Sequence, residues 1–207
     1  LKVDKKEIFK KFGDHYVADE RTFKMGIDRR ITARIAERFR GCRMLETCTG
    51  GGFSTISLAL EAGRVITIEI DKKIQDQARE NVSKAGLTAK VDFILGDSLD
   101  RKVLGSIADI HAAFLDPDWA DTGNNHVYRF RNSNTKPPAD LLLETVFHFT
   151  RNVALILPPL LPTDELQGLP GFEMQRIYLD DEHALLCLYF GELAERIGES
   201  ELKVIDR

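Results

Sequence analysis

Apolar positions along the chain switch repeatedly between two periods. Ile31, Ile35 and Phe39 recur every four residues, the spacing of one helical face. The pair Met44-Leu45 then enters a short buried strand closing near Glu46, glycines 50 to 52 follow, and Phe53 to Ala62 reads as a helix stopped at Gly63. The β-branched run from Val65 to Ile70 predicts a second strand. Asp71 is placed to cap the next helix, which would bury Ile74, Ala78 and Val82. Val91 to Leu95 is expected as the third strand, with Ser98 capping a short helix to about Leu104. Ile110 to Leu115 forms the fourth strand, ending at Asp116-Pro117. A helix from Ala139 to Thr150 and a fifth strand from Val153 to Leu157 complete the series.

The rhythm changes near the end. Phe172–Leu179 and Ala184–Phe190 are two strands joined by the turn Asp180-Asp181-Glu182-His183, a link so short that they must pair antiparallel. Five strand–helix units followed by a hairpin predict an α/β fold with a seven-stranded, mostly parallel sheet and an antiparallel C-terminal hairpin strand. The last acidic stretch, with Glu192, Glu195, Glu199 and Glu201, reads as solvated helix. Residues 29–207 are expected to form one domain behind an N-terminal helical extension, residues 1–28. Ala120 to about Lys136 has no apolar period and is rich in Asn; a loop of that length is functional or disordered.

Composition narrows the classes. At 43% apolar and 30% charged, the 207 residues are ordinary globular sequence, which excludes collagen, low-complexity disorder and a small disulfide scaffold. The three cysteines, Cys42, Cys48 and Cys187, form no C-x-x-C pair, which argues against a zinc site and for a reducing, cytoplasmic setting. The five histidines show no metal spacing, so no metal is expected. No signal-peptide pattern opens the chain and no apolar run reaches the roughly 20 residues that span a bilayer, so no membrane partner is expected. The net charge is −4, but residues 1–40 hold 12 Lys or Arg against 7 Asp or Glu. That basic arm fits either a polyanionic partner or a solvated helical surface. Oligomeric state is left open.

Candidate chemistry lies where open α/β sheets bind ligands, beyond the C-terminal ends of their strands. The first such turn reads Glu46-Thr47-Cys48-Thr49-Gly50-Gly51-Gly52, and glycine lets backbone approach a ligand closely or adopt positive φ. Glu69, at the end of the second strand, can accept hydrogen bonds from both hydroxyls of a ribose. A dinucleotide fingerprint would need glycine at position 55, which is threonine, and no P-loop motif is present. An acidic residue opening the turn repels a pyrophosphate but suits a cationic ligand such as S-adenosylmethionine, with its sulfonium and ammonium. The alternative is a tight structural turn. Asp97, after the third strand, suits an adenine amine or a helix cap.

The run Leu45 to Ala59 resembles the opening motif of class I S-adenosylmethionine-dependent methyltransferases, and Asp116-Pro117-Asp118-Trp119 resembles the turn of their amine-methylating members. The resemblance is strongest to the RNA cap guanine-N2 methyltransferase (trimethylguanosine synthase-like) group and covers about residues 20 to 160. It implies a Rossmann-like sandwich with S-adenosylmethionine as cofactor and RNA as substrate. By position, Glu46, Thr47, Thr49, Gly50, Gly52, Ser54, Thr55, Glu69, Ile70, Asp97, Ser98 and Asp116 would line the cofactor. Asp116, Pro117, Asp118 and Trp119 would be catalytic; Trp119, Asn124, Tyr128, Arg129 and Arg131 would meet the acceptor by stacking and phosphate contact. The segment Phe23 to Asp28 would cover the methionine side or cap the sheet edge. Asp118 departs from the family pattern, which has a second proline there. The departure leaves open a catalytically silent module that binds cofactor or RNA; a methyltransferase acting on a non-RNA acceptor is the other alternative to an RNA amine. A nicotinamide oxidoreductase is disfavoured by Thr55.

Overall fold

Strands and helices alternate through most of the chain because each parallel strand must be returned to the same sheet edge by a crossover. The computed structural model describes residues 3–119 and 127–205. It divides into two compact units between Ser98 and Leu99.

In the first unit, α1 (Lys5–Phe12), α2 (Glu20–Met25) and α3 (Arg29–Ala36) precede β1 (Arg43–Thr47), α4 (Phe53–Glu61), β2 (Arg64–Glu69), α5 (Lys72–Lys84) and β3 (Val91–Leu95). Aspartates open α1, α2, α3 and α5: Asp4, Asp19, Asp28 and Asp71 each accept a hydrogen bond from a first-turn amide. The strands lie parallel in the order β3-β2-β1, with Thr47 opposite Ile68 and Glu69 opposite Leu95. One end of this sheet therefore gathers the turn after β1, the carboxylate ending β2 and the Gly96-Asp97 step after β3. Backbone pairing continues past the strands: Thr49 N–H donates to the Ile68 carbonyl and Gly96 N–H to that of Glu69.

The N-terminal segment packs on this unit through Ile8, Phe12 and Phe53, with Tyr16 and Phe23 around them. The Phe12 and Phe53 rings stack at 3.6 Å. Helix α5 was expected to bury Ile74, Ala78 and Val82. Ala78 and Val82 are buried, Ile74 is half-buried, and polar Gln75 and Asn81 are buried beside them. Asn81 explains its own burial. Its Oδ1 accepts from Val17 N–H at 2.7 Å, and its Nδ2 donates to the carbonyls of Val17 and Gly51 at 2.8 and 2.9 Å.

The second unit contains α6 (Arg101–Gly105), β4 (Ala112–Leu115), α7 (Ala139–Val146), β5 (Val153–Leu157), β6 (Phe172–Leu179), β7 (Glu182–Phe190) and β8 (Gly198–Val204). Its strand order is β4-β5-β7-β6-β8. β4 and β5 run parallel, β7 is antiparallel to both β5 and β6, and β8 runs parallel to β6. The core strand β5 is buried at every position. With the first unit's parallel β1, β2 and β3, this is the mixed, mostly parallel α/β architecture expected.

Several local expectations are corrected. The short helix after β3 is capped by Asp100, whose side chain accepts from Lys102 N–H, rather than by Ser98. β2 stops at Glu69, β4 begins at Ala112, and α7 ends at Val146. The hairpin turn is tighter than expected because Asp180 and Asp181 both adopt positive φ, the geometry of two-residue hairpin loops. The expected acidic C-terminal helix is instead β8, an eighth strand. Its side chains alternate, Glu199, Glu201 and Lys203 exposed and Ser200, Leu202 and Val204 half-buried, which is a strand's period of two. Among the described residues no helix is long and apolar enough to cross a membrane.

Candidate active site

The residues singled out from sequence fall in both units, most of them on or beside the turn after β1 in the first and the turn after β4 in the second. In the first unit, β1 delivers Glu46 to the sheet end, and the chain turns through Thr49–Gly52 into α4. Gly52 is the N-cap of α4 with φ 80°. A β-carbon there would lie 3.1 Å from the Ala78 carbonyl oxygen, so left-handed backbone and close packing against α5 both demand glycine.

Glu69 holds this turn. One carboxylate oxygen accepts from Gly50 N–H at 3.0 Å and the other from Asp71 N–H at 3.0 Å. Each carboxylate oxygen has a second lone pair, so acceptor capacity is left for a diol. Beside it, Ile70 is 70% exposed and Leu95, opposite Glu69 on β3, is 50% exposed. Two apolar side chains flanking a carboxylate at a sheet end suit a nucleoside, with one surface for a flat base and one acceptor for its sugar. Asp97 is exposed on the step that follows, and Ser98 is buried.

Glu46 has a different character. It is 1% exposed, and Thr55 Oγ1 donates to its Oε2 at 2.6 Å. Burial pushes its carboxyl up to about 7, with hydrogen bonds from Thr55 and Thr67 opposing and the nearby Glu69 charge adding to the rise. Thr67 also pairs with Thr49, hydroxyl to hydroxyl at 2.6 Å. Thr67 was missed in the sequence because it sits mid-strand in a β-branched run. Thr47 Oγ1 is buried with no hydrogen-bond partner among the described residues. Ser54 and Thr55 are both buried in the first turn of α4.

In the second unit β4 ends at Asp116-Pro117-Asp118-Trp119. Pro117 is buried; Asp116, Asp118 and Trp119 are half-buried. Asp118 N–H donates to the Lys136 carbonyl and Lys136 N–H to the Asp118 carbonyl, both at 2.9 Å. A proline at 118 has no N–H and would lose the first of these bonds. The departure from the family pattern thus has a structural reason: a two-bond bridge braces the turn where a second pyrrolidine ring would. Tyr128 Oη donates to the Trp119 carbonyl at 2.7 Å, and its ring stands edge-on to the indole at 6.0 Å. Arg129 pairs with Glu165, and Arg131 donates to the Gln167 carbonyl. Asn124 lies outside the described residues. Glu165 carried no sequence signal, being one acid among many.

A parallel α/β sheet with a glycine turn after its first strand and an acid ending its second is shared by Rossmann-like nucleoside-binding folds, the class I methyltransferases among them. The family model described as RNA cap guanine-N2 methyltransferase matches residues 42–191. The chain belongs to that family.

Curated relatives include O-methyltransferases. A catechol O-methyltransferase of Mycobacterium tuberculosis is 37% identical over 97 residues, 45% of this chain and 43% of that protein. The chain spans less than half the length of the curated relatives it matches. Among solved structures, a candidate methyltransferase from Porphyromonas gingivalis W83 superposes with a TM-score of 0.71 at 18% identity, over 90% of this chain and 47% of that one. The O-methyltransferase TomG from Streptomyces achromogenes, crystallised with S-adenosylmethionine, gives a TM-score of 0.54 at 18% identity, over 85% of this chain and 92% of that one. S-adenosylmethionine is the cofactor of the class. The free lone pairs of Glu69, the exposed Ile70 and Leu95, and the glycine backbone at 50–52 are chemically suited to it.

Proposed function

We propose that the protein is an S-adenosylmethionine-dependent methyltransferase acting on an exocyclic amine, of the guanine N2 kind, in RNA. The observation that carries this reading is the family match across residues 42–191, which includes both the glycine turn and the Asp116–Trp119 turn. The cofactor supplies a methyl group already activated on a sulfonium. The chain's task is then chiefly to hold and orient.

On this reading Glu69 takes the ribose hydroxyls, Ile70 and Leu95 flank the adenine, and Asp97 takes its amine. Glu46 and the Thr49–Gly52 backbone receive the methionine end. Asp116 accepts a hydrogen bond from the acceptor's NH₂, which fixes the direction of the nitrogen lone pair. The bridged backbone of Asp118 keeps that carboxylate in register, and Trp119 offers its indole face to a purine. We assign residues 29–207 to the catalytic domain and residues 1–28 to its extension.

A second reading is methylation of a small-molecule hydroxyl, favoured by the catechol O-methyltransferase relative. Incubation of the protein with tritiated S-adenosylmethionine and either total RNA or catechol separates the two. Label in RNA that disappears with Asp116→Ala, while S-adenosylhomocysteine still binds, supports the amine reading. Label in catechol alone replaces it. Cofactor binding without transfer to either supports a silent module.

A further inference from the structure

Glu165 sits in the short 3-10 turn Thr163–Leu166 and is only 9% exposed. Its Oε2 accepts from two successive backbone amides, Phe130 N–H at 2.7 Å and Arg131 N–H at 3.1 Å, and its Oε1 faces the Arg129 guanidinium. Burial favours the neutral acid, but the donors from Arg131, Phe130 and Arg129 outweigh it and hold the carboxyl below its ordinary range. Asn134 grips the same segment, accepting from Arg129 N–H at 2.9 Å and donating to the Val127 carbonyl at 2.8 Å. What this segment presents is Tyr128, bonded to the Trp119 carbonyl and packed edge-on to its ring.

We propose that Glu165 is a positioning residue for acceptor recognition: by fixing Val127–Arg131 it seats Tyr128 against Trp119 and so sets the orientation of the indole. The inference rests on the reading that the Asp116–Trp119 turn faces the acceptor. It also gives Arg129 a different task from the phosphate contact expected of it, because its guanidinium serves the buttress. Glu165 touches no reacting atom in this scheme. Its removal should therefore raise the acceptor KM and spare both kcat and donor binding.

Trp119 is the only tryptophan in the chain, so its fluorescence reports on this turn alone. In Glu165→Ala, loss of a charge-assisted bond should enlarge the unseated fraction of Tyr128 about tenfold. Acrylamide quenching of Trp119 should rise accordingly. Methyl transfer to total RNA should show about a tenfold higher KM with kcat changed less than about twofold. Tyr128→Phe should reproduce both effects without disturbing the segment, and Glu165→Gln should fall between. The melting-temperature rise given by S-adenosylhomocysteine should match wild type in all three, which also shows that they fold.

A folded Glu165→Ala with wild-type quenching and wild-type KM overturns the proposal, as does a fall in kcat with KM unchanged. If Glu165→Ala does not fold, Glu165→Gln and Tyr128→Phe decide by the same criteria. If wild type methylates no RNA, the acceptor reading fails by itself, and Trp119 quenching still decides whether Glu165 positions the indole.

Discussion

Replacing Glu46 by glutamine should remove a pH dependence that the wild-type chain carries in its donor turn. The Glu46 carboxyl is 1% exposed and raised, mainly by burial, from 4.5 to about 7. At 1.36 kcal/mol per pH unit this rise corresponds to about 3 kcal/mol. The folded chain holds the proton more tightly than the unfolded chain, so between the two values the folded state binds more protons and stability falls as pH rises. The contribution is fully present below the unfolded value of 4.5 and is lost as pH rises through about 7. Glutamine keeps an oxygen to accept from Thr55 and has no proton to lose. Urea unfolding of both chains from pH about 5 to about 8 gives a difference curve in which other titrating groups cancel. That difference, wild type minus Glu46→Gln, should decline by about 2.5 kcal/mol across the window. Parallel curves would refute the assignment of a proton to Glu46 in the folded state.

Gly52→Ala forces a β-carbon into left-handed backbone 3.1 Å from the Ala78 carbonyl oxygen. It should cost about 2 kcal/mol in urea unfolding and weaken S-adenosylhomocysteine binding measured by calorimetry. Asn81→Ala leaves the Val17 amide and the Gly51 carbonyl without their buried partner. It should cost about 2 to 3 kcal/mol, with faster hydrogen exchange across the N-terminal segment as the diagnostic sign. Unchanged exchange there would mean that the segment is held without Asn81, by its aromatic contacts and by the Gln77 hydrogen bonds to Val17 and Thr22.

What was legible in the sequence was what periodicity and turn chemistry encode. The β-branched run at 65–70, the glycine turn and Asp71 each state their role locally, and the fold class follows from their order. β8 was missed because its Glu and Lys residues dominate composition while its half-buried positions are only Ser200, Leu202 and Val204. The period of two is there, but weak.

At the candidate site, the residues on glycine and proline turns could be named because such turns are few. The polar residues that brace them could not. Thr67, Asn81 and Glu165 become notable only when long-range contacts bring them to partners 18, 64 and 35 residues away in sequence, the Thr49 hydroxyl and the Val17 and Phe130 amides. Asp118 is the reverse case. It looked like a lapse from a motif, and its backbone bridge to Lys136 supplies the reason.

Calorimetric titration of S-adenosylhomocysteine into the wild-type chain and into Glu69→Gln tests the donor site most directly. Glutamine can accept only one of the two bonds now donated by the Gly50 and Asp71 amides, and it presents an amide NH₂ to the other. Saturable binding by wild type, with affinity at least about tenfold lower in Glu69→Gln, is the predicted result. Equal affinity in the two chains, or no binding by wild type at saturating ligand, would contradict it.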